Sequence, residues 1–250
     1  MNPANDSVSI LRSMIKASKR LAVLTGAGMS TESGIPDFRS AGGFFEDAAR
    51  AQRMSESYYR TSPESFWPEY KAVFLRKEFL AAKPNDGHRA LVEFERMGKE
   101  VTILTQNVDG LHTAAGSTRV LEMHGNVHAA VCPRCSARYS LAEILAQDVP
   151  HCHAYTLKGG GCQEILQPDI VLFEQPVRHF QEAFYAVARA DLLLVIGSSL
   201  TVEPVASLPQ YASQAAKRVV INLEPTEFDE RADLCLYERQ AEVFAAMLAE

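Results

Sequence analysis

Four apolar, β-branched-rich runs, each halted by small or polar residues, constrain this chain more than any other feature. They are Leu21 to Leu24, closed by Thr25-Gly26; Val101 to Leu104, closed by Thr105-Gln106-Asn107; Leu192 to Ile196, closed by Gly197-Ser198-Ser199; and Val219 to Ile221, closed by Asn222. Short runs without polar alternation predict strands buried on both faces, the situation of a parallel sheet. Helical patterns lie between them, for example Val177 to Ala190 and Val205 to Ala216. Alternating strands and helices predict an α/β fold built on a parallel sheet. Ligands of such sheets bind beyond the carboxyl ends of the strands, and all four polar clusters fall on that edge.

Two segments interrupt the alternation. The stretch from about Phe38 to Pro84 is rich in aromatics (Phe44, Phe45, Tyr58, Tyr59, Phe66, Trp67, Tyr70, Phe74); its early part reads as a long loop and Pro63 to Leu80 as helical. The stretch from about Gly125 to Asp169 holds Cys132, Cys135, Cys152 and Cys162, with His128, His151 and His153 and a Gly159-Gly160-Gly161 run. It is too small for an apolar core of its own, so a metal is expected to organise it. At 250 residues the chain suits one large domain with a modest insert.

A formal net charge of -6 removes the global basic footprint of a nucleic-acid binder, and no direct nucleic-acid binding is expected. The first ten residues are polar, and no apolar run approaches the roughly 20 residues that span a bilayer. The expected location is cytoplasmic, with no membrane partner. In that setting a local cysteine cluster favours metal over disulfides. Cys132-Pro133-Arg134-Cys135 has zinc-knuckle spacing, shared with redox pairs. Cys152 and Cys162 stand nine residues apart, a gap that the glycines between them let the chain close, since loop closure grows less favourable only slowly with length. One structural zinc on all four thiolates is the expectation, with His151 or His153 as the alternative fourth ligand. Cys235 reads as a buried strand residue.

Thr25-Gly26-Ala27-Gly28-Met29-Ser30 directly follows the first strand. Glycines there let the backbone approach a phosphate, and a following helix start supplies N–H donors. Structural turns share this pattern, which also lacks the full G-x-G-x-x-G spacing. The longer strings say more. Gly26-Ala27-Gly28-Met29-Ser30-Thr31-Glu32-Ser33-Gly34-Ile35-Pro36-Asp37-Phe38-Arg39 resembles the signature loop of the sirtuins, and Thr105-Gln106-Asn107-Val108-Asp109-Gly110-Leu111-His112 their second motif. Glu122-Met123-His124-Gly125 is similar to their catalytic histidine motif, and Gly197-Ser198-Ser199-Leu200 with Val202 and Pro204 to their C-terminal cofactor loop. The strings stand in family order across nearly the whole chain, which resembles a sirtuin of the short bacterial type.

The resemblance implies an NAD-dependent protein-lysine deacetylase with acetylated proteins as partners. It would be a transferase that consumes NAD as co-substrate and yields nicotinamide, lysine and O-acetyl-ADP-ribose. The implied architecture is a Rossmann-like domain from residues 1–37, 80–124 and 170–250, a cofactor-loop and helical insert at 38–79, and a zinc module at 125–169. Gly26, Ala27 and Gly28 would receive the pyrophosphate, beside Ser30, Asp37, Gly197, Ser198 and Ser199. Asn222, Leu223 and Glu224 would meet the adenosine ribose. Phe38 and Arg39 would close over the nicotinamide ribose, Asp109 would anchor the carboxamide, and Gln106 with Asn107 would order ribose hydroxyls and water. His124, with Asn107 and Asp109, would be catalytic: imidazole titrates near neutrality and can deprotonate a ribose hydroxyl.

On the substrate side, Pro168 to Phe173 resembles the family strand that receives the peptide by strand addition, so Val171 and Phe173 are the expected contacts. The family's Gly-Glu is replaced by Glu174-Gln175, which is expected to place a charge beside the groove. Acid-acyl sirtuins carry Tyr-x-x-Arg where this chain reads Tyr70-Lys71-Ala72-Val73, so acetyl and longer neutral acyl groups are expected. Two other readings remain: an NAD-dependent mono-ADP-ribosyltransferase or NAD hydrolase on the same scaffold, and a non-catalytic zinc-bearing module.

Overall fold

The computed structural model describes residues 3–37, 48–156 and 160–248. In chain order its strands are β1 (Arg20–Thr25), β2 (Glu100–Thr105), β3 (Val120–Glu122), β4 (Gly125–Val131), β5 (Arg138–Ser140), β6 (Tyr155–Thr156), β7 (Gly160–Gly161), β8 (Gln167–Ile170), β9 (Leu192–Ile196), β10 (Lys217–Ile221) and β11 (Leu234–Leu236). The four expected strands are β1, β2, β9 and β10. They join β3 and β11 in one six-stranded sheet ordered β3-β2-β1-β9-β10-β11, with every pair parallel. Counting only this sheet's members along the chain, the order is 3-2-1-4-5-6, that of the doubly wound dinucleotide fold, and it reverses between β1 and β9.

Alternation along each strand sends side chains to opposite faces. Leu21, Val23, Ile103, Leu194, Val219 and Ile221 pack on one side with Leu11, Leu91, Phe94 and Phe244. These four come from helices Pro3–Ala17, Asp86–Arg96 and Gln240–Leu248. Ala22, Leu24, Leu104, Leu193, Val195 and Val220 pack on the other side with Ala183, Val187 and Leu208. Both faces are therefore covered, as unbroken apolar strands require.

Three local expectations change. Val177 to Ala190 is helical only over Phe180–Arg189, and Val205 to Ala216 forms a 3-10 helix, Val205–Tyr211. Pro209 inside that segment lacks the N–H an α-helix needs. The stretch expected as a long loop holds helices Ala48–Arg53 and Glu56–Thr61, the second capped by the Ser55 hydroxyl accepting from the Tyr58 N–H.

A third core lies outside the sheet and revises the idea that a metal alone organises residues 125–169. Phe66, Trp67 and Tyr70, from helix Pro63–Phe74, share one apolar cluster with Cys132, Tyr139, Ile144, Cys152 and Leu166. Trp67 donates its indole N–H to the Leu166 carbonyl at 2.7 Å, and the Lys71 ammonium donates to the Ile144 and Gln147 carbonyls. The aromatic insert supplies the core that the cysteine segment lacks. No described helix is long and apolar enough to cross a membrane.

Candidate active site and metal centre

Because every strand of the main sheet runs the same way, their carboxyl ends deliver Gly26, Gln106, Met123-His124, Gly197 and Asn222 to a single edge. At the switch point the loops after β1 and β9 touch backbone to backbone. A Cβ on Gly26 would lie 2.7 Å from the Gly197 carbonyl oxygen, and one on Gly28 would lie 2.7 Å from the Gly197 Cα. Gly197 itself has φ 59, and a Cβ there would strike the Met29 nitrogen. No other residue fits this apposition.

Beyond it opens a cleft of about 430 Å³, lined by Gly26, Ala27, Gly28, Asp37, Gln106, Gly197, Ser198, Ser199, Asn222, Leu223 and Glu224 among others. These residues, expected at the cofactor, are brought together on one cleft. Glu238, Arg239 and Gln240 also line it and were missed. They follow the three-residue β11, of which only Cys235 was read as a strand residue; it is half-buried there, and the strand's carboxyl end was the signal to look for. Phe38 and Arg39 lie outside the described residues.

Ser30, Asn107 and Asp109 stand behind the cleft wall rather than on it, and all three are buried. The Ser30 hydroxyl donates to Asp109 Oδ2 at 2.7 Å, and Asp109 Oδ1 accepts the Leu111 N–H at 2.8 Å. Asn107 donates its amide to the Gly26 carbonyl at 3.0 Å and to Ser30 Oγ at 3.1 Å. This network joins the loops after β1 and β2. Burial raises the Asp109 pKa, opposed by the Leu111 and Ser30 hydrogen bonds.

A second cavity, about 230 Å³, shares Gln106 and Val202 with the first. Its wall is mostly apolar, from Met54, Phe74, Val108, Ile170, Leu172 and Val177, and it contains His124. The His124 Nδ1 lies 2.9 Å from the Gln106 carbonyl oxygen, which only accepts. Nδ1 therefore carries the proton, and Nε2 is left with its lone pair. Burial lowers the His124 pKa against the opposing pull of that hydrogen bond, so the ring is neutral at neutral pH. A neutral, oriented imidazole in the second cavity, bonded to the Gln106 that borders both, can take a proton from a hydroxyl.

Val171 and Phe173 both line this cavity. The backbone of Phe173 is already engaged, however: its N–H donates to the Met54 carbonyl at 3.1 Å and its carbonyl accepts from Glu56 at 3.0 Å. Strand pairing by a peptide at Phe173 is thus closed off by the segment after Arg53. Among the described residues no hydrogen bond uses the carbonyl of Val171 or either backbone group of Glu174. Tyr70 and Val73 lie in the third core; from their helix it is Phe74 that reaches the cavity.

In the cysteine segment β4 pairs with β5 and β8, and β6 with β7. The Sγ atoms of Cys132, Cys135, Cys152 and Cys162 all lie within 4.8 Å of one another; Cys132 to Cys162 is 3.6 Å and Cys135 to Cys152 is 3.5 Å. Tetrahedral zinc with Zn–S of about 2.3 Å needs sulfur separations of roughly 3.8 Å, so the four thiols fit that ion. Tyr139 donates its hydroxyl to Cys152 Sγ at 3.2 Å, a second layer that orients the ligand. His151 and His153 are outside the group: His151 Nδ1 donates to the Val149 carbonyl at 2.8 Å, and the His153 ring packs on Tyr139. Buried Asp169 ties this segment to the sheet, pairing with Arg138 at 2.6 Å and Arg178 at 2.8 Å.

The Sir2 family model matches residues 26–204, from the first glycine loop to the end of the loop after β9. The chain belongs to the Sir2 family. Among its curated Sir2 relatives, the "NAD-dependent protein deacetylase" of Bacillus subtilis is 47% identical over 92% of this chain and 95% of its own length. The "NAD-dependent protein deacetylase 2" of Geobacillus kaustophilus is also 47% identical, over 93% of each. Among solved structures, a Sir2 complex with p53 peptide and NAD+ superposes with a TM-score of 0.83 at 32% identity, covering 97% of both chains. A Sir2 complex with deacetylated p53 peptide and 3'-O-acetyl ADP-ribose gives a TM-score of 0.86 at the same identity, covering 97% of this chain and 98% of the other.

Proposed function

We infer that this Sir2 protein is an NAD-dependent protein-lysine deacetylase. The observation that carries it is the shared wall: Gln106 borders both cavities, and its carbonyl fixes the ring of His124. NAD supplies the ribose carbon from which nicotinamide departs and to which the acyl oxygen bonds; one water completes the reaction, so that NAD, acetyl-lysine and water give nicotinamide, lysine and O-acetyl-ADP-ribose.

In this reading Gly26, Ala27 and Gly28 hold the pyrophosphate, with Ser198 and Ser199 beside it. Asn222, Leu223 and Glu224 hold the adenosine ribose. His124, through Nε2, accepts the proton of a ribose hydroxyl, while Asn107 and Asp109 keep the loops after β1 and β2 in register. The acyl-lysine enters the apolar cavity along Val171, whose carbonyl is open to the substrate backbone. Among the described residues no lysine or arginine lines that cavity, so an acidic acyl group would find no partner among them, and acetyl or longer neutral chains are favoured. Residues 125–169 hold one structural zinc, packed against the aromatic helix Pro63–Phe74. Acetylated cytoplasmic proteins are the substrates we propose, since clustered thiols keep a metal in a reducing compartment.

The test follows peptide mass and nicotinamide together in a reaction with NAD and an acyl-peptide panel. Loss of acetyl matched mole for mole by nicotinamide is expected, with succinyl-peptide slower than acetyl-peptide. Gain of ADP-ribose on the acceptor would reassign the protein as a transferase, and nicotinamide release without acceptor as a hydrolase.

A further inference from the structure

The cavity that holds His124 has a negatively charged mouth. Glu174, from the turn after β8, and Glu203, from the loop after β9, both line it, and both are exposed. Among the described residues no lysine or arginine joins them in the lining, and the adjacent basic residues already have acidic partners. Arg53, next to Met54, pairs with Glu69 at 2.9 Å, and Arg178, next to Val177, pairs with Asp169 at 2.8 Å. Among the described residues the field at this opening is therefore acidic.

Glu174 is held in place by more than its backbone. Its φ of 78 lies in the left-handed region, which disfavours a residue with a Cβ. Its carboxylate accepts the Ser57 N–H at 2.9 Å and the Ser57 hydroxyl at 3.0 Å, which fixes the head group against the start of helix Glu56–Thr61. A carboxylate has about four acceptor directions, and Ser57 takes two. The remaining lone pairs are free for a cation, with little side-chain freedom left to lose on meeting one. The unengaged Glu174 amide and carbonyl sit at the same residue. A peptide that pairs there would bring its own flanking side chains past this carboxylate.

We propose that Glu174 and Glu203 make this enzyme select acetyl-lysine flanked by lysine or arginine, a preference that rests on the deacetylase reading above. Exposed pairs are weak and screened by salt, so each should change kcat/KM by about two- to fivefold at low ionic strength. Rim charges act chiefly on encounter, so the effect should appear in kcat/KM and fade with salt.

The experiment uses three acetyl-lysine peptides that differ only in their flanking residues, arginine, glutamine or glutamate. Nicotinamide release is measured with NAD at low and high salt. The expected order is arginine above glutamine above glutamate, compressed at high salt. The variant Glu174→Gln keeps an oxygen for Ser57 and so retains the clamp without the charge. Combined with Glu203→Gln it should remove most of the spread, each rate being taken relative to the glutamine peptide. Equal turnover of all three peptides by the unaltered enzyme at low salt overturns the proposal, as does an undiminished spread in the double variant. Failure of every peptide to release nicotinamide would instead bring down the deacetylase reading, and this preference with it.

Discussion

His124, the base we propose, would owe its chemistry to one hydrogen bond and to its surroundings. The Gln106 carbonyl chooses the tautomer, and burial holds the ring neutral. A base must be unprotonated to act, and a lowered pKa keeps it so further into acid. The acid limb of kcat should therefore fall below the ordinary histidine value of about 6.5. A pH–rate profile checks this, and a limb above that value would contradict it. His124→Ala should retain NAD binding by calorimetry and lose deacetylation by about 100-fold or more. Motif strings made this residue legible, because an imidazole and its neighbours are chemistry written in one place. Glu174 was less so. Its identity announced a charge near the groove, but its bond to Ser57, 117 positions away, depends on tertiary contact. Phe173 lines the cavity as expected of a contact residue, but that its backbone is claimed by Met54 and Glu56 could not be read, since those partners come from a segment that pattern alone left as loop.

Elements were legible in proportion to their length. β1, β2, β9 and β10 carry five or six residues each and announced themselves, whereas three-residue β3 did not and three-residue β11 showed only as Cys235. With the end of β11 unread, Glu238, Arg239 and Gln240 beyond it stayed hidden. Contact between two elements also sets what their loops tolerate. The loops after β1 and β9 approach so closely that Gly197→Ala must both strain a positive φ and push Met29 aside. The expected result is a stability loss of about 1–3 kcal/mol with NAD affinity reduced tenfold or more. Denaturant melts and calorimetry measure the two effects, and unchanged affinity would show that the cleft does not depend on this apposition. At the start of helix Asp86–Arg96, Asn85 accepts the His88 N–H and also donates to the Met29 carbonyl at 2.8 Å. This cap thus reaches the same glycine loop, a link that spacing could not reveal.

For the molecule as a whole, the parallel sheet was readable from patterning, and the partnership of the two interruptions was not. Each looked incomplete alone: one had aromatics without a sheet, the other cysteines without a core. Folded together they form a single apolar cluster in which the chain's one tryptophan, Trp67, is fully buried. Metal removal should therefore be felt well away from the thiols. A chelator strong enough to strip zinc is expected to shift Trp67 emission to the red and to speed amide exchange in residues 63–81 as well as 125–166. Exchange in β1, β2 and β9 should hardly change. Emission unaltered after verified zinc loss would mean that the shared core stands without the ion.

Gln106 has a consequence at this largest scale. Its backbone N–H accepts its place from β1 by donating to the Thr25 carbonyl at 2.9 Å, and its side chain donates to Ser198 at 2.9 Å. One residue is thus a common boundary for two guests of different kinds. To the extent that either guest moves that boundary, the Kd of each must depend on the occupancy of the other, and by the same factor in both directions.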